Sequence, residues 1–182
     1  MRLTDDRKEY EAGSLDDSAL HADPWALFAH WLEEYRATGA SDATAFALST
    51  VSRQGFPDAR IVLLKGAEEG SLVFYTNYTS KKGQDLEANP QAHALFFWPA
   101  LERQMRIFGK VKRVDAAVSD AYFHSRPIGS QRGAIASAQS QSISGRPALE
   151  AKFSAAEAIP EKELQRPDHW GGYALHAERL EF

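Results

Sequence analysis

Five short β-rich runs follow one another between Ala43 and Val114, and most of the links between them are too short to hold a crossover helix. They are 46–51 (FALSTV), 60–65 (RIVLLK), 72–77 (LVFYTN), 93–98 (HALFFW) and 102–114 (ERQMRIFGKVKRV). Parallel neighbours need a connection of roughly a dozen residues or more, so such runs are expected to pair antiparallel. In the last run Met105, Ile107 and Val111 alternate with Arg106, Lys110 and Lys112, the pattern of a half-buried strand. Turn chemistry separates the runs: 53–58 (RQGFPD), and a second turn at 66–70 (GAEEG). The expectation is a small β-barrel carrying added helices.

The flanking segments supply the helices. Asp23 and Pro24 read as an N-cap and a first helical residue, and Trp25, Leu27, Phe28, Trp31, Leu32 and Tyr35 keep helical spacing until Gly39. Thr79 and Ser80 cap a short helix running through Leu86 and closed by Asn89-Pro90. Asp115 caps another, to about His124. Pro127, Gly129 and Gly133 are expected to break the chain before a small-residue helix near 134–138, with a further helix over 147–158. Trp170-Gly171-Gly172-Tyr173 opens a last strand reaching Phe182. Residues 1–22 are polar and mixed in charge, and read as a mobile arm in front of a single domain over 23–182.

Composition narrows the chemistry. The 182 residues include no cysteine, which excludes disulfides, a thiolate nucleophile, Cys-ligated zinc and iron–sulfur clusters. Any redox chemistry must belong to a bound organic cofactor or a non-thiolate metal, and no histidine spacing suggests a metal site. A net charge of −4 argues against general binding to nucleic acid. The most apolar stretch, 94–101 (ALFFWPAL), is far shorter than the roughly 20 residues of a membrane helix. The first residues lack a signal-peptide pattern, so a cytoplasmic location is expected.

Three places concentrate polar groups. Thr79-Ser80-Lys81-Lys82 opens a helix directly after a strand, and reads either as a phosphate site or as a capped helix with two solvated lysines. Arg60 and Lys65 bracket an apolar strand at an odd separation. A regular strand sends them to opposite faces, so a shared ligand requires a strand end or a bulge; otherwise they are ordinary strand-end charges. Tyr122-Phe123-His124-Ser125-Arg126-Pro127, followed by Ser130-Gln131, gathers a phenol, an imidazole, hydroxyls and a guanidinium at a helix end. Arg126 suits bidentate phosphate recognition, or simply a cation at a helix C-terminus. His124 has no nucleophile or carboxylate beside it in sequence to make it a general base. The P-loop, G-x-G-x-x-G and G-x-S-x-G motifs are absent.

Taken in order, RIVLLK at 60–65, FYTN at 74–77, SKK at 80–82, ERQ at 102–104, YFHSRP at 122–127, SQRGA at 130–134, AQSQSI at 138–143 and WGGY at 170–173 closely resemble the pyridoxamine 5′-phosphate oxidase family, over roughly residues 7–182. The resemblance implies an α+β, mainly β fold: an FMN-binding split β-barrel with peripheral helices, forming a homodimer with FMN at the subunit interface. It implies oxidation of pyridoxine or pyridoxamine 5′-phosphate to pyridoxal 5′-phosphate, with O2 reduced to H2O2. By motif, Arg60, Ile61, Val62, Leu63, Leu64, Lys65, Tyr75, Thr76, Lys81, Lys82, Gln104, Gln139 and Ser140 would contact FMN, some from the second subunit. Lys65, Tyr122, Arg126 and Ser130 would hold the substrate phosphate, and Arg7 and Tyr10 would belong to an arm folding over the site.

Some positions depart from the family pattern. Lys81 stands where an arginine is common, and Arg132 replaces a usual apolar residue. The family continues beyond the strand ending here at Phe182 with a tryptophan and an R-L-H-D-R-like segment. Its absence from this sequence leads to an expectation of impaired turnover. The alternative reading is therefore an FMN- or pyridoxal-phosphate-binding protein of the same fold with little turnover, and a third is a split-barrel flavoprotein with another substrate.

Overall fold

A computed structural model describes residues 9, 11, 13, 23–68 and 70–182. The expected arm, with Arg7 and Tyr10, lies outside the described residues save for Glu9, Glu11 and Gly13. Seven strands form one antiparallel sheet: β1 (Ala45–Val51), β2 (Pro57–Leu63), β3 (Gly66–Glu68), β4 (Ser71–Asn77), β5 (Gln91–Trp98), β6 (Arg103–Arg113) and β7 (Trp170–Glu181). Their order across the sheet is β2-β1-β5-β6-β7-β4-β3. Among the described residues five α-helices surround it: α1 (Pro24–Ala37), α2 (Lys81–Ala88), α3 (Ala116–Ser125), α4 (Ile128–Ala136) and α5 (Arg146–Glu157). Among the described residues no helix is long and apolar enough to cross a membrane.

The strand order itself requires curvature. β2 and β3 are the two edges of the sheet, yet only Leu64 and Lys65 separate them in the chain. In a flat sheet six strand spacings would put the edges roughly 29 Å apart, whereas three Cα–Cα steps reach about 11 Å. The sheet must roll until its edges nearly meet. At the seam Leu64 N donates to Thr44 O and Lys65 N to Val73 O, both at 2.8 Å, so adjacent residues bond to opposite ends of the sheet. Beyond that point β2 and β4 are not paired in the sheet, and the barrel is split.

Alternation fills the inside of the roll with Phe46 and Leu48 from β1, Phe96 from β5, Met105 and Ile107 from β6, Phe74 from β4 and Leu175 from β7. The apolar stripe of α1 is laid against this core: Phe28 meets Phe96 at 5.2 Å and Trp98 at 6.3 Å between ring centroids. Asp23 caps the helix by accepting from Trp25 N, as its position suggests. At Phe108/Gly109 a bulge shifts the β6–β7 register. A Cβ at Gly109 would collide with the His176 carbonyl, so glycine alone lets the two backbones approach there.

Several local readings change. The 66–70 turn contains β3, which pairs with β4. The strand expected over 60–65 starts earlier, at Pro57, and ends at Leu63. The helix expected near 134–138 begins at Ile128 and runs through Gly129 and Gly133, because Pro127 sits at its N-cap rather than within it. Asp115 precedes α3 but makes no side-chain capping bond. A second apolar cluster, Phe123, Ala134 and Trp170 with Tyr75 and Tyr122 beside it, seats α3 and α4 on the β4–β7 wall.

Candidate functional site

A cleft of about 620 Å³ opens where β2, β4, the start of β7, and α2 to α4 converge. Its volume is typical of small-molecule sites. Ile61, Val62 and Leu63 form an apolar side, and Lys65 reaches it because β2 has already ended, which removes the strand-parity objection to its sharing a ligand with residues of β2. Tyr75, Thr76, Lys82, Tyr122, Arg126, Ser130 and Gln139 complete the group of expected residues that the fold brings together.

One cation sits at the α2 side. Ser80 Oγ accepts from Gly83 N and so starts the helix, which directs Lys82 inward. Lys82 is only 7% exposed, and its Nζ donates to Gln139 Oε1 at 2.7 Å, Thr76 Oγ1 at 3.1 Å and Ser80 Oγ at 3.4 Å. These partners are neutral, and among the described residues no carboxylate lies within ion-pair distance of it. Burial, aided by Arg60, lowers its pKa to about 8, with Asp58 opposing. Such an ammonium has no ion-pair partner among the described residues, a place that an anion would fill.

A second cation sits where α3 meets α4. Arg126 ends α3, held by its N–H to Phe123 O, while Gln131 Nε2 donates to its carbonyl. Its Nη1 is buried without a hydrogen-bond partner, and no carboxylate among the described residues pairs with it. Burial pushes the guanidinium below its ordinary pKa, and Tyr122 partly offsets this. Beside it Tyr75 stacks on Tyr122, with centroids 3.8 Å apart and planes at 21°. Burial, then Tyr122 and Tyr78, raises the Tyr75 pKa, which keeps the phenol neutral.

Other expected residues lie elsewhere. Arg60 faces inward but is engaged: it donates to Leu48 O, Thr50 Oγ1 and, at 2.6 Å, Asp58 Oδ2. Lys81 pairs with the buried Asp85 one turn along α2 rather than with the cleft. Of the two lysines in the SKK motif, therefore, one neutralises a buried carboxylate and the other faces the site. Leu64 turns its side chain into the core. Gln104 is exposed on β6 opposite Phe97, and Ser140 is exposed with φ of 65°; neither lines the cleft. Arg132, unexplained from the sequence, donates Nη2 to Ile159 O just beyond α5.

Trp170, Asn77 and Ser137 line the cleft without having been singled out, and Asn77 Nδ2 donates to Ser137 O at 3.2 Å. The only local signal for Trp170 was its place in WGGY. Its ring faces the Arg126 guanidinium at 4.5 Å. Gly172 backs Tyr75 closely, since a Cβ there would lie 2.8 Å from the Tyr75 ring and 2.6 Å from Val114.

Comparison with known proteins bears on the family and the fold. The sequence pattern of the family described as pyridoxamine 5′-phosphate oxidase matches residues 32–159. A pyridoxine/pyridoxamine 5′-phosphate oxidase of Bordetella pertussis is 48% identical over 182 residues, covering 100% of this chain and 86% of the relative. Enzymes of the same name are similar at 47% identity in Leptospira interrogans, covering 100% and 85%, and at 46% in Pseudomonas putida, covering 99% and 85%. Among solved structures, PhzG from Burkholderia lata in complex with tetrahydrophenazine-1-carboxylic acid shares the fold with a TM-score of 0.84 at 24% identity, over 92% of this chain and 84% of that one. A pyridoxamine 5′-phosphate oxidase-related FMN-binding protein from Nostoc punctiforme shares it with a TM-score of 0.70 at 18% identity, over 88% and 84%. The fold is thus the expected split barrel, and the chain belongs to the pyridoxamine 5′-phosphate oxidase family.

Proposed function

We propose that the protein uses FMN to oxidise pyridoxine 5′-phosphate or pyridoxamine 5′-phosphate to pyridoxal 5′-phosphate, with O2 reduced to H2O2, as a cytoplasmic homodimer. The observation carrying this reading is one cleft that holds, besides the exposed Lys65, two separate cations withdrawn from solvent, Lys82 and Arg126, neither paired with a carboxylate among the described residues. A cofactor and a substrate that each end in a phosphate need two such positions.

When bound, FMN supplies the hydride acceptor and passes electrons on to O2, which suits a chain with no cysteine of its own. Lys82, with Thr76 and Gln139 around it, would hold the cofactor phosphate, and Ile61 to Leu63 would give its ring system an apolar wall. Arg126, Ser130 and Tyr122 would grip the substrate phosphate, with Lys65 nearby. Anchoring that end restricts where the C4′ carbon can lie, the main contribution a protein makes when the cofactor carries the chemistry. Ile61 and Phe97, each 66% exposed, lie on the sheet face that also carries Gln104. A second copy covering that face would explain why an expected cofactor contact stands outside the cleft of a single chain.

The test is spectroscopic. Purified protein should show a flavin spectrum, bleach when pyridoxine 5′-phosphate is added without air, and recover with release of H2O2 when air is admitted. A flavin that binds but never bleaches refutes the oxidase and leaves a binding protein. A chain that takes up no FMN refutes both.

A further inference from the structure

We propose that Trp170 is the positioning residue for Arg126, holding its guanidinium ready for the substrate phosphate; the inference rests on the function above and identifies what keeps that cation in place. An arginine awaiting an anion is awkward to keep still. Its side chain is long and flexible, and its charge favours water or the nearest carboxylate. A carboxylate partner would fix it but would occupy the same N–H fork that the phosphate needs.

The structure offers another solution. Arg126 Cζ lies 4.5 Å from the centroid of the Trp170 ring, within cation–π range. A π face attracts the cation without consuming an N–H donor. This accords with Nη1 of Arg126 being buried and unpartnered.

Trp170 is itself immobilised. Its ring is nearly parallel to Tyr75 at 5.6 Å and to Tyr122 at 6.2 Å, and Phe123 packs steeply tilted against it at 5.7 Å. The backbone is held too. Trp170 N donates to Pro167 O, and its carbonyl accepts from Arg166 Nη1 at 2.7 Å. Arg166 Nε in turn donates to Asp120 Oδ1 at 2.5 Å, and Asp120 belongs to α3, the helix that ends at Arg126. Arg166 therefore ties the start of β7 to the helix that delivers the guanidinium, so both members of the pair are fixed to one frame.

The experiment is a double-mutant cycle in steady-state kinetics with pyridoxine 5′-phosphate, with flavin content measured for every variant. Trp170→Leu should raise KM about tenfold, change kcat by less than about threefold, and retain FMN. Trp170→Phe, which keeps a π face, should recover most of that loss. In an Arg126→Ala background Trp170→Leu should add nothing further. Additive losses, equal losses for Phe and Leu, or a loss confined to kcat would overturn the proposal. If Trp170→Leu does not fold, Trp170→Phe serves in the cycle, and its smaller increase in KM must vanish without Arg126. An unaltered chain whose bound flavin is never reduced by this substrate refutes the functional reading instead. The cycle is then read from binding of pyridoxal 5′-phosphate by its absorbance, where additive losses, or no binding at all, overturn the positioning role.

Discussion

Raising the pH from about 7 to about 9 should weaken FMN binding through Lys82 alone, before ordinary lysines titrate near 10.4. Burial brings the Lys82 pKa from 10.5 to about 8, so its ammonium is mostly charged at the lower pH and mostly neutral at the higher. A bound phosphate supplies the missing counter-charge and returns the pKa toward its ordinary value. Only the charged form binds well, so the apparent Kd should rise about tenfold across this interval, equivalent to about 1.4 kcal/mol. The sign reverses for the ligand-free fold. Its depressed pKa means that the unfolded chain holds more protons between the two pKa values, so the Lys82 contribution to stability becomes more favourable as pH rises from 8 to 10.5. Affinity and ligand-free stability should therefore move in opposite directions. The assay is flavin fluorescence titration of wild type and Lys82→Gln. The variant should bind weakly with a flat profile, and wild type should fall toward it above pH 8. A wild-type profile as flat as the variant's would refute the reasoning.

Three further outcomes are expected. Arg126→Ala removes a charge-assisted contact worth about 1.5–3 kcal/mol, so KM for pyridoxine 5′-phosphate should rise roughly 10- to 150-fold; an unchanged KM would exclude Arg126 from the phosphate site. Gly109→Ala forces a methyl against the His176 carbonyl at the β6–β7 bulge, and denaturant unfolding should show a loss of about 1–3 kcal/mol. Phe97→Asp places a charge on the exposed face beside Gln104, and sedimentation velocity should show dimer giving way to monomer with the barrel intact by circular dichroism.

What could be read along the chain was whatever depends on near neighbours. The Asp23-Pro24 cap, the Ser80 cap and the alternation in β6 all involve residues within a few positions of one another, and the structure keeps them. The SKK pair shows the limit. Both lysines look alike in sequence, yet the i,i+4 relation gives Lys81 to Asp85 while the helix start turns Lys82 to Gln139, more than fifty residues away. Trp170 was legible as the opening of a strand but not as a wall of the cleft, because Tyr75, Tyr122 and Arg126 reach it only through the rolled sheet and the α3–α4 corner. Gln104 and Ser140 came from motif resemblance, and a single chain leaves both outside the cleft.

The seam at Leu64–Lys65 also bears on how the molecule is made. β4, which carries Tyr75 and Thr76, pairs along its whole length with β7, and β7 joins it to β6. During synthesis β4 therefore emerges nearly a hundred residues before its main partner. The hairpin of β1 and β2 can form early, but the roll cannot close until the last strand arrives. Such long-range pairing slows folding. It also means that the cleft is completed only at the end, so capture of a flavin would report that the chain has been read through β7.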